Sequence, residues 1–124
     1  MKRSFLILVA LVAAVVVVPA WAAGPTATKA VAGEDEGIST LRVTVASSDE
    51  VYAVIISGAA VDDIRAPKGW VGVASGNHVM FRTGENPVKA GNTLSFKILT
   101  TEPTAALKIS FRGKEDPIGS PVNL

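Results

Sequence analysis

The sequence contains no cysteine among its 124 residues. Disulfide bridges, thiolate nucleophiles and zinc sites built on cysteine are therefore all excluded. Aromatic residues are scarce as well, at 6% of the chain, and His78 is the single histidine. Because a stable metal centre usually needs three or four protein ligands, the sequence predicts no metal site and no cofactor.

Motifs of catalysis are missing too. The chain has no G-x-S-x-G elbow, no G-x-G-x-x-G loop and no G-K-[ST] phosphate loop, and each of these motifs supports a specific chemistry. Acidic residues occur as neighbouring pairs, but in expected turns and strand ends, where carboxylates are ordinarily solvated. We therefore expect a protein that is not an enzyme. A protein that binds calcium or another metal is an alternative, with Asp62 and Asp63 as the least unlikely ligands.

A long apolar run occurs once, at the N-terminus. Two basic residues precede 14 consecutive apolar residues, Phe5 to Val18. A proline then ends the run, and Ala20-Trp21-Ala22 has the small-x-small form that signal peptidase recognises. The sequence predicts a signal peptide over residues 1–22, cut after Ala22, and hence a secreted or periplasmic protein. An uncleaved membrane anchor is the alternative, since a spanning helix needs roughly 17–25 residues.

The rest of the chain is nearly neutral. The full chain has 12 basic and 11 acidic side chains, and removing Lys2 and Arg3 leaves 10 basic against 11 acidic, a net charge of −1. No run of Lys and Arg follows the leader. We therefore expect neither a nucleic-acid partner nor a membrane partner after signal cleavage.

Periodicity divides the remainder into two parts. Residues 23–37 are small, polar and acidic, which predicts a flexible acidic tether. Residues 38–124 contain short runs that alternate apolar and polar residues, with turn signals about every 8–12 positions. This part is predicted to be a single all-β domain, an antiparallel immunoglobulin-like β-sandwich of seven to eight short strands. A small closed β-barrel is the alternative. The apolar run VYAVIIS (51–57) predicts a central strand covered on both faces.

Four residues are candidates for ligand binding. Trp70 is either an exposed platform for a sugar ring or a core aromatic packed between the sheets. The second interpretation is favoured, because sandwich domains commonly bury one large aromatic residue. Tyr52 is the second candidate, and Asn86 and Lys89, in the turn-rich loop 84–92, complete the surface.

Three runs resemble a pattern found in immunoglobulin-like and cohesin-like modules of secreted bacterial proteins. The runs are IRAPKGWVG from residue 64, NHVMFRT from residue 77 and NPVKAGNTLSFKI from residue 86. In those modules a Pro-x-Gly-Trp corner leads into a hairpin, and a Pro-x-x-x-Gly turn opens the next strand. The landmarks here are Pro67, Gly69, Trp70, Pro87, Gly91 and Phe96. The resemblance implies a β-sandwich and an extracytoplasmic, non-catalytic module, and it transfers no binding residue.

These observations favour an exported, non-catalytic binding or structural module of the cell envelope or extracellular space. Its expected partner is a protein or a polysaccharide. A self-assembling envelope or filament subunit is the alternative, in which the segment 23–37 or the C-terminal IGSPVNL adds a strand to an open sheet edge of a neighbouring copy. Pro117 and Pro121 disfavour the C-terminal segment as a donor, because each lacks a backbone N–H.

Overall fold

The structure is a computed structural model that describes residues 24–47 and 49–124. The predicted signal peptide lies outside the described residues. The described part contains no helix with the length and apolar character that crossing a bilayer would require.

Nine strands form two antiparallel sheets. The strands are β1 (Thr26–Asp35), β2 (Ile38–Ala46), β3 (Ala53–Ser57), β4 (Asp63–Arg65), β5 (Val71–Ser75), β6 (His78–Arg82), β7 (Thr93–Thr100), β8 (Lys108–Arg112) and β9 (Pro117–Asn123). One sheet has the order β1-β2-β7-β4, and the other has the order β5-β6-β3-β8-β9. The prediction of an all-β antiparallel sandwich is confirmed. The two sheets stay separate, so the alternative of a closed barrel is wrong, and the strands described number nine rather than seven to eight.

The core lies between the two sheets and follows from the two-residue period of a strand. In β2, Leu41, Val43 and Val45 are fully buried, whereas Arg42 between them is exposed. The other long strands also send alternate apolar side chains into the same interior. The largest fully buried side chains are Phe81, Phe96, Phe111, Leu41, Ile56, Ile98 and Ile109. In a chain without disulfides, this apolar packing holds the sheets together.

The prediction of a flexible tether over residues 23–37 is wrong for most of that segment, because Thr26–Asp35 form β1. This strand pairs with β2 along its length. Glu36 and Gly37 connect the two strands, and both have positive φ, 52° and 84°. A two-residue turn of this kind matches the right-handed twist of a hairpin. β1 is an edge strand whose last six residues are exposed, so its acidic side chains stay in water.

The apolar segment 51–57 contains β3, which is the middle strand of the five-stranded sheet, as predicted. Only one of its faces is covered. Val54 and Ile56 are buried in the core, whereas Ile55 on the opposite face is half-buried. The expectation of two covered faces is therefore wrong, because each sheet has its partner sheet on one side only. The outer face of the five-stranded sheet is left open.

Gly72 in β5 lies against the core, and its backbone passes close to Ile64 and Phe81. A Cβ atom at this position would lie 2.6 Å from Ile64 Cδ1 and 2.9 Å from two ring atoms of Phe81. We expect Gly72→Ala to lower the free energy of unfolding by about 1–3 kcal/mol, because overpacking a filled core forces side chains off their preferred rotamers. Urea unfolding followed by far-ultraviolet circular dichroism measures the change.

The matched control is Gly33→Ala in β1, where an added Cβ would meet no atom within 4 Å. This variant should unfold with nearly the same free energy as the parent chain. Equal losses in the two variants would contradict the packing explanation for Gly72.

Candidate functional site

Several loops lie together at one end of the sandwich. β6 and β8 end there, and β3, β5 and β7 begin there. Reciprocal backbone hydrogen bonds of 3.0 and 2.9 Å join Val51 and Val88 at this end. The N–H of Gly91 also donates to the carbonyl of Ser47 over 3.1 Å. These bonds hold the β2–β3 and β6–β7 loops against each other. Two grooves open at this loop end of the molecule.

The first groove lies between the β4–β5 loop and the β6–β7 loop, and it is named here the Trp70 groove. It is lined by Lys68, Trp70, Asn86, Pro87, Val88, Lys89, Asn92, Thr93 and Leu94. Three of the four predicted binding residues therefore meet in one place. The polar side chains of the lining are two lysines, two asparagines and Thr93.

Trp70 itself belongs to the core. Its side chain is 6% exposed, and its ring meets Phe96 edge-on, with centroids 5.0 Å apart and planes at 77°. The indole N–H donates to the backbone carbonyl of Asn86 over 2.9 Å. A ring enclosed in this way has no open face for a sugar to stack on. Trp70 instead fixes the position of the loop that carries the rest of the groove.

Thr83 joins the two loops of the Trp70 groove. Its hydroxyl donates to the carbonyl of Gly69 over 2.7 Å and accepts from the N–H of Asn86 over 3.0 Å. Gly69 has a φ of 85°, and a Cβ there would lie 2.5 Å from the Asn86 side-chain nitrogen. Glycine therefore lets the Asn86 side chain pack over the β4–β5 turn. The sequence contains no signal that singles out Thr83 for this role.

The second groove lies on the outer face of the five-stranded sheet and is named here the Tyr52 groove. It is lined by Tyr52, Ala53, Met80, Arg82, Thr83, Arg112, Gly113 and Lys114. The strand register explains this arrangement: Ala53 is directly opposite Arg82 on one side and Arg112 on the other. The small Ala53 side chain leaves a depression between two long basic side chains. Met80 follows in the next row of the sheet and is 38% exposed.

Tyr52 is the one aromatic residue of the described chain that is not buried. The other aromatic side chains in that part of the structure are Trp70, Phe81, Phe96 and Phe111, and all of them are buried. The Tyr52 hydroxyl donates to Glu50 Oε1 over 3.4 Å. Partial removal from water raises the pKa of the Tyr52 phenol, and the neighbouring Glu50 carboxylate raises it further. Tyr52 therefore stays neutral and able to donate a hydrogen bond at physiological pH.

The Tyr52 groove is basic. Arg82, Arg112 and Lys114 line it, and no carboxylate does so among the described residues. A guanidinium nitrogen of Arg112 donates to the carbonyl of Glu115 over 3.1 Å. That carbonyl belongs to the β8–β9 turn, which the Gly113 N–H closes by donating to Asp116 O over 2.7 Å. The groove thus presents guanidinium and ammonium donors beside one aromatic ring.

The predicted binding residues do not form one surface. Trp70, Asn86 and Lys89 lie in the Trp70 groove, and Tyr52 lies in the other. Sequence reasoning did not select Arg82, Arg112, Lys114 or Met80. For two of them the sequence contains a usable signal. Arg82 and Arg112 each follow a buried phenylalanine, and because side chains alternate along a strand, both arginines must face outward. The alternation of apolar and polar residues does not show that β6 and β8 lie on the two sides of β3.

Of the two acidic residues proposed as metal ligands, Asp63 forms hydrogen bonds with its own strand. The Asp63 carboxylate accepts hydrogen bonds from the backbone N–H of Ile64, over 2.8 Å, and from the Arg65 guanidinium. The hydrogen bond from Arg65, followed by the one from Ile64, holds the pKa of Asp63 below its usual value. No group of three His, Asp or Glu side chains comes together within residues 24–47 and 49–124. Asp62 and Asp63 therefore have no third acidic or histidine side chain beside them within these residues.

Comparison with known proteins identifies the fold and no family. No protein-family model matches the chain, and no curated protein matches it either. Among solved structures, the chitin-binding domain of Chi18aC from Streptomyces coelicolor aligns with 69% of this chain and 90% of its own, with a TM-score of 0.50 and 14% identity. At that identity the likeness shows a shared β-sandwich fold.

A second similar structure is a GH20 exo-β-N-acetylglucosaminidase from Vibrio harveyi. It aligns with 81% of this chain at 12% identity and a TM-score of 0.46. The same enzyme in complex with N-acetylglucosamine gives the same values. This chain spans 17% of the enzyme's length.

The burial of Trp70 predicts its fluorescence. In a chain that starts at residue 23, Trp70 is the sole tryptophan. Because its ring is enclosed by the core, we expect blue-shifted emission and weak quenching by acrylamide. Unfolding in urea should shift the emission to the red and restore quenching. Red-shifted, readily quenched emission from the folded chain would contradict the packing of Trp70.

The contact with Glu50 predicts the titration of Tyr52, the only tyrosine of the chain. Ultraviolet absorbance of the tyrosinate should give a pKa above the ordinary value of about 10. Glu50→Gln should bring this pKa closer to that value, whereas Asp49→Asn should leave it unchanged. A raised pKa favours the folded state below about pH 10, and this contribution is lost as the pH rises through the folded pKa. An identical Tyr52 titration in the parent chain and in Glu50→Gln would contradict the contact.

Proposed function

We propose that this chain is an exported, non-catalytic polysaccharide-binding module, and that it binds a sugar chain in the Tyr52 groove. The observation that carries the proposal is the groove itself. It combines a partly exposed aromatic ring with Met80 and with three basic side chains, Arg82, Arg112 and Lys114. Binding sites for small molecules commonly combine an apolar surface with a few well-placed polar groups.

Sugars present two kinds of surface, and the groove offers a complement to each. The C–H face of a pyranose ring can pack on the Tyr52 ring and the Met80 side chain, which removes apolar surface from water. Ring hydroxyls can accept hydrogen bonds from the guanidinium groups of Arg82 and Arg112, which have several donors in a fixed planar geometry. The open shape of the groove suits a segment of a chain that continues on both sides.

The predicted signal peptide supports export, because an extracellular polysaccharide is within reach only of an exported protein. The chitin-binding domain from Streptomyces coelicolor shares the fold. Chitin is therefore the first ligand to test.

Binding without hydrolysis fits the chemistry of the groove. Most glycoside hydrolases need two carboxyl groups that flank the scissile bond. Within the described residues, the lining of the Tyr52 groove contains no carboxylate. The nearby Glu50 carboxylate accepts a hydrogen bond from the Tyr52 hydroxyl. Among the described residues that line it, the groove therefore lacks the pair of carboxyl groups that most of these enzymes use.

A protein partner is the second candidate function. Val71 and Val73 in β5 are each 61% exposed, and both lie on the same outer face as Met80. Such an apolar strip beside a basic groove also suits a protein surface. Strand donation is less well supported, because residues 26–35 and 117–123 already form β1 and β9 of the chain's own sheets. Either segment would have to leave its sheet before it could pair with a neighbour.

Removing the Tyr52 ring should weaken binding to chitin. We expect Tyr52→Ala to reduce the affinity for chitin at least tenfold, which corresponds to about 1.4 kcal/mol. Tyr52→Phe should retain most of the affinity, because the stacking surface is preserved. Depletion of the protein by insoluble chitin at several protein concentrations measures the affinity.

The matched control is Lys108→Gln, on the same outer face but at the far end of the sheet, opposite Ser57. It should bind chitin like the parent chain. If the parent chain is not depleted by chitin or by any other insoluble polysaccharide, the proposed function is wrong. If Tyr52→Ala and the parent chain bind equally, the site lies elsewhere.

A further inference from the structure

The outer face of the four-stranded sheet carries three basic residues in one row. Lys97 in β7 is directly opposite Arg42 in β2 on one side and Arg65 in β4 on the other. Neighbouring strands lie roughly 4.7–4.9 Å apart, so the row spans two strand spacings. All three side chains are exposed. These residues are named here the basic row.

This arrangement is unfavourable for the fold alone. Like charges directly opposite each other in a sheet are destabilising. Within the described chain the only ion pair joins Arg65 to Asp63, so Arg42 and Lys97 face each other without a carboxylate partner there. Unfavourable local arrangements, such as like charges opposite each other, are expected at functional sites, where they are retained because they serve ligand binding.

The surroundings of the basic row are rich in hydroxyl groups. Thr40, Thr44 and Ser95 lie on the same outer face, in the rows on either side. The hydroxyl oxygens of Thr44 and Ser95 are 3.0 Å apart. No aromatic residue lies on this face, and the exposed large apolar side chains of the described chain lie elsewhere. Asp63 and the half-buried Leu99 are opposite each other on the same face, in the row of Thr40. Because the Asp63 carboxylate pairs with Arg65, the face offers Arg42 and Lys97 as cations without an ion-pair partner among the described residues, beside several hydroxyl groups.

We propose that the basic row binds an acidic polysaccharide, a chain whose sugar residues carry carboxylate groups. Arginine binds a carboxylate through two parallel hydrogen bonds. Arg42 offers this geometry beside the compact charge of Lys97, whereas the Arg65 guanidinium already has the Asp63 carboxylate as a partner. The flanking hydroxyl groups match the hydroxyls of a sugar chain.

Two other polyanions fit this face less well. Proteins that bind a membrane surface usually insert apolar side chains into it, and this face has no exposed large apolar side chain among the described residues. Single-stranded nucleic acids are usually held by aromatic rings that stack on the bases, and no such ring lies here. Charge together with hydroxyl groups favours a hydrated acidic sugar chain.

The basic row is a site separate from the Tyr52 groove. The two lie on the outer faces of different sheets, with the core between them. The inference does not rest on the proposed function, and Tyr52→Ala separates the two in an experiment. This variant should bind chitin at least tenfold more weakly and keep its affinity for an acidic polysaccharide.

The test uses polygalacturonate as the probe and neutral dextran as its uncharged counterpart. Titration calorimetry of the exported chain at low ionic strength, repeated at increasing salt, gives the affinity and its salt dependence. We expect the chain to bind polygalacturonate and not dextran, with an affinity that falls as the salt concentration rises. Lys97→Gln should weaken this binding at least tenfold and reduce the dependence on salt, and Arg42→Gln should act in the same direction.

A stability measurement distinguishes a binding role from a structural one. Because Lys97→Gln removes a like-charge contact, its melting temperature should equal or exceed that of the parent chain. The control is Lys108→Gln, which removes the same charge from the other sheet and should leave polygalacturonate binding unchanged. Loss of binding in Lys97→Gln with the fold intact supports the proposal.

Three results would overturn the assignment. The first is equal affinity for polygalacturonate in Lys97→Gln and the parent chain. The second is an equal loss in Lys97→Gln and Lys108→Gln, which would mean attraction by overall charge. The third is binding of duplex DNA or of anionic phospholipid vesicles through Lys97 as tightly as polygalacturonate, which would assign the basic row to a different polyanion.

Discussion

The two sheets are held together by apolar side chains, because the chain has no cysteine and its described interior contains few buried polar residues. Each strand residue that enters this interior forces its neighbours in sequence to the outside. Arg42 stands between Leu41 and Val43, and Lys97 stands between Phe96 and Ile98. The outward direction of the cations is therefore a direct result of packing the core. Which cations then meet one another is decided by the order of the strands in each sheet.

The core also determines the shape of the loop end. Trp70 packs against Phe96 and donates its indole N–H to the Asn86 carbonyl, so a side chain of the interior positions an exposed loop. Thr83 then links that loop to the turn at Gly69. A large aromatic residue beside a groove is easily taken for a surface on which a ligand stacks. Here the ring that can reach a ligand is Tyr52, on a different face.

Sequence patterns predict seven to eight strands, from the alternation of apolar and polar residues in strands such as β2, β7 and β8 and from a continuous apolar run in β3. These patterns miss β1, because its residues are small or acidic apart from Lys29 and Val31. The useful signal there was Glu36-Gly37, a pair suited to a two-residue hairpin turn. The sequence could not predict the Tyr52 groove, for a different reason. Ala53 brings Arg82 and Arg112 to its two sides through pairing with two separate strands, and periodicity contains no information about which strands are neighbours.

Net charge gives a misleading description of this surface. Residues 23–124 have a net charge of −1, yet the inner strands β2, β3, β6, β7 and β8 contain no acidic residue, and four of them contain Arg or Lys. Most of the acidic residues lie in loops and at the tip of the β1–β2 hairpin. Charges separated by more than about 8–10 Å are largely screened at physiological salt, so the field close to each sheet face is set by the basic residues on that face. A nearly neutral protein of this kind attracts no polyanion from a distance. Selection among anionic ligands must then depend on short-range geometry, that is, on the spacing of the cations across the strands.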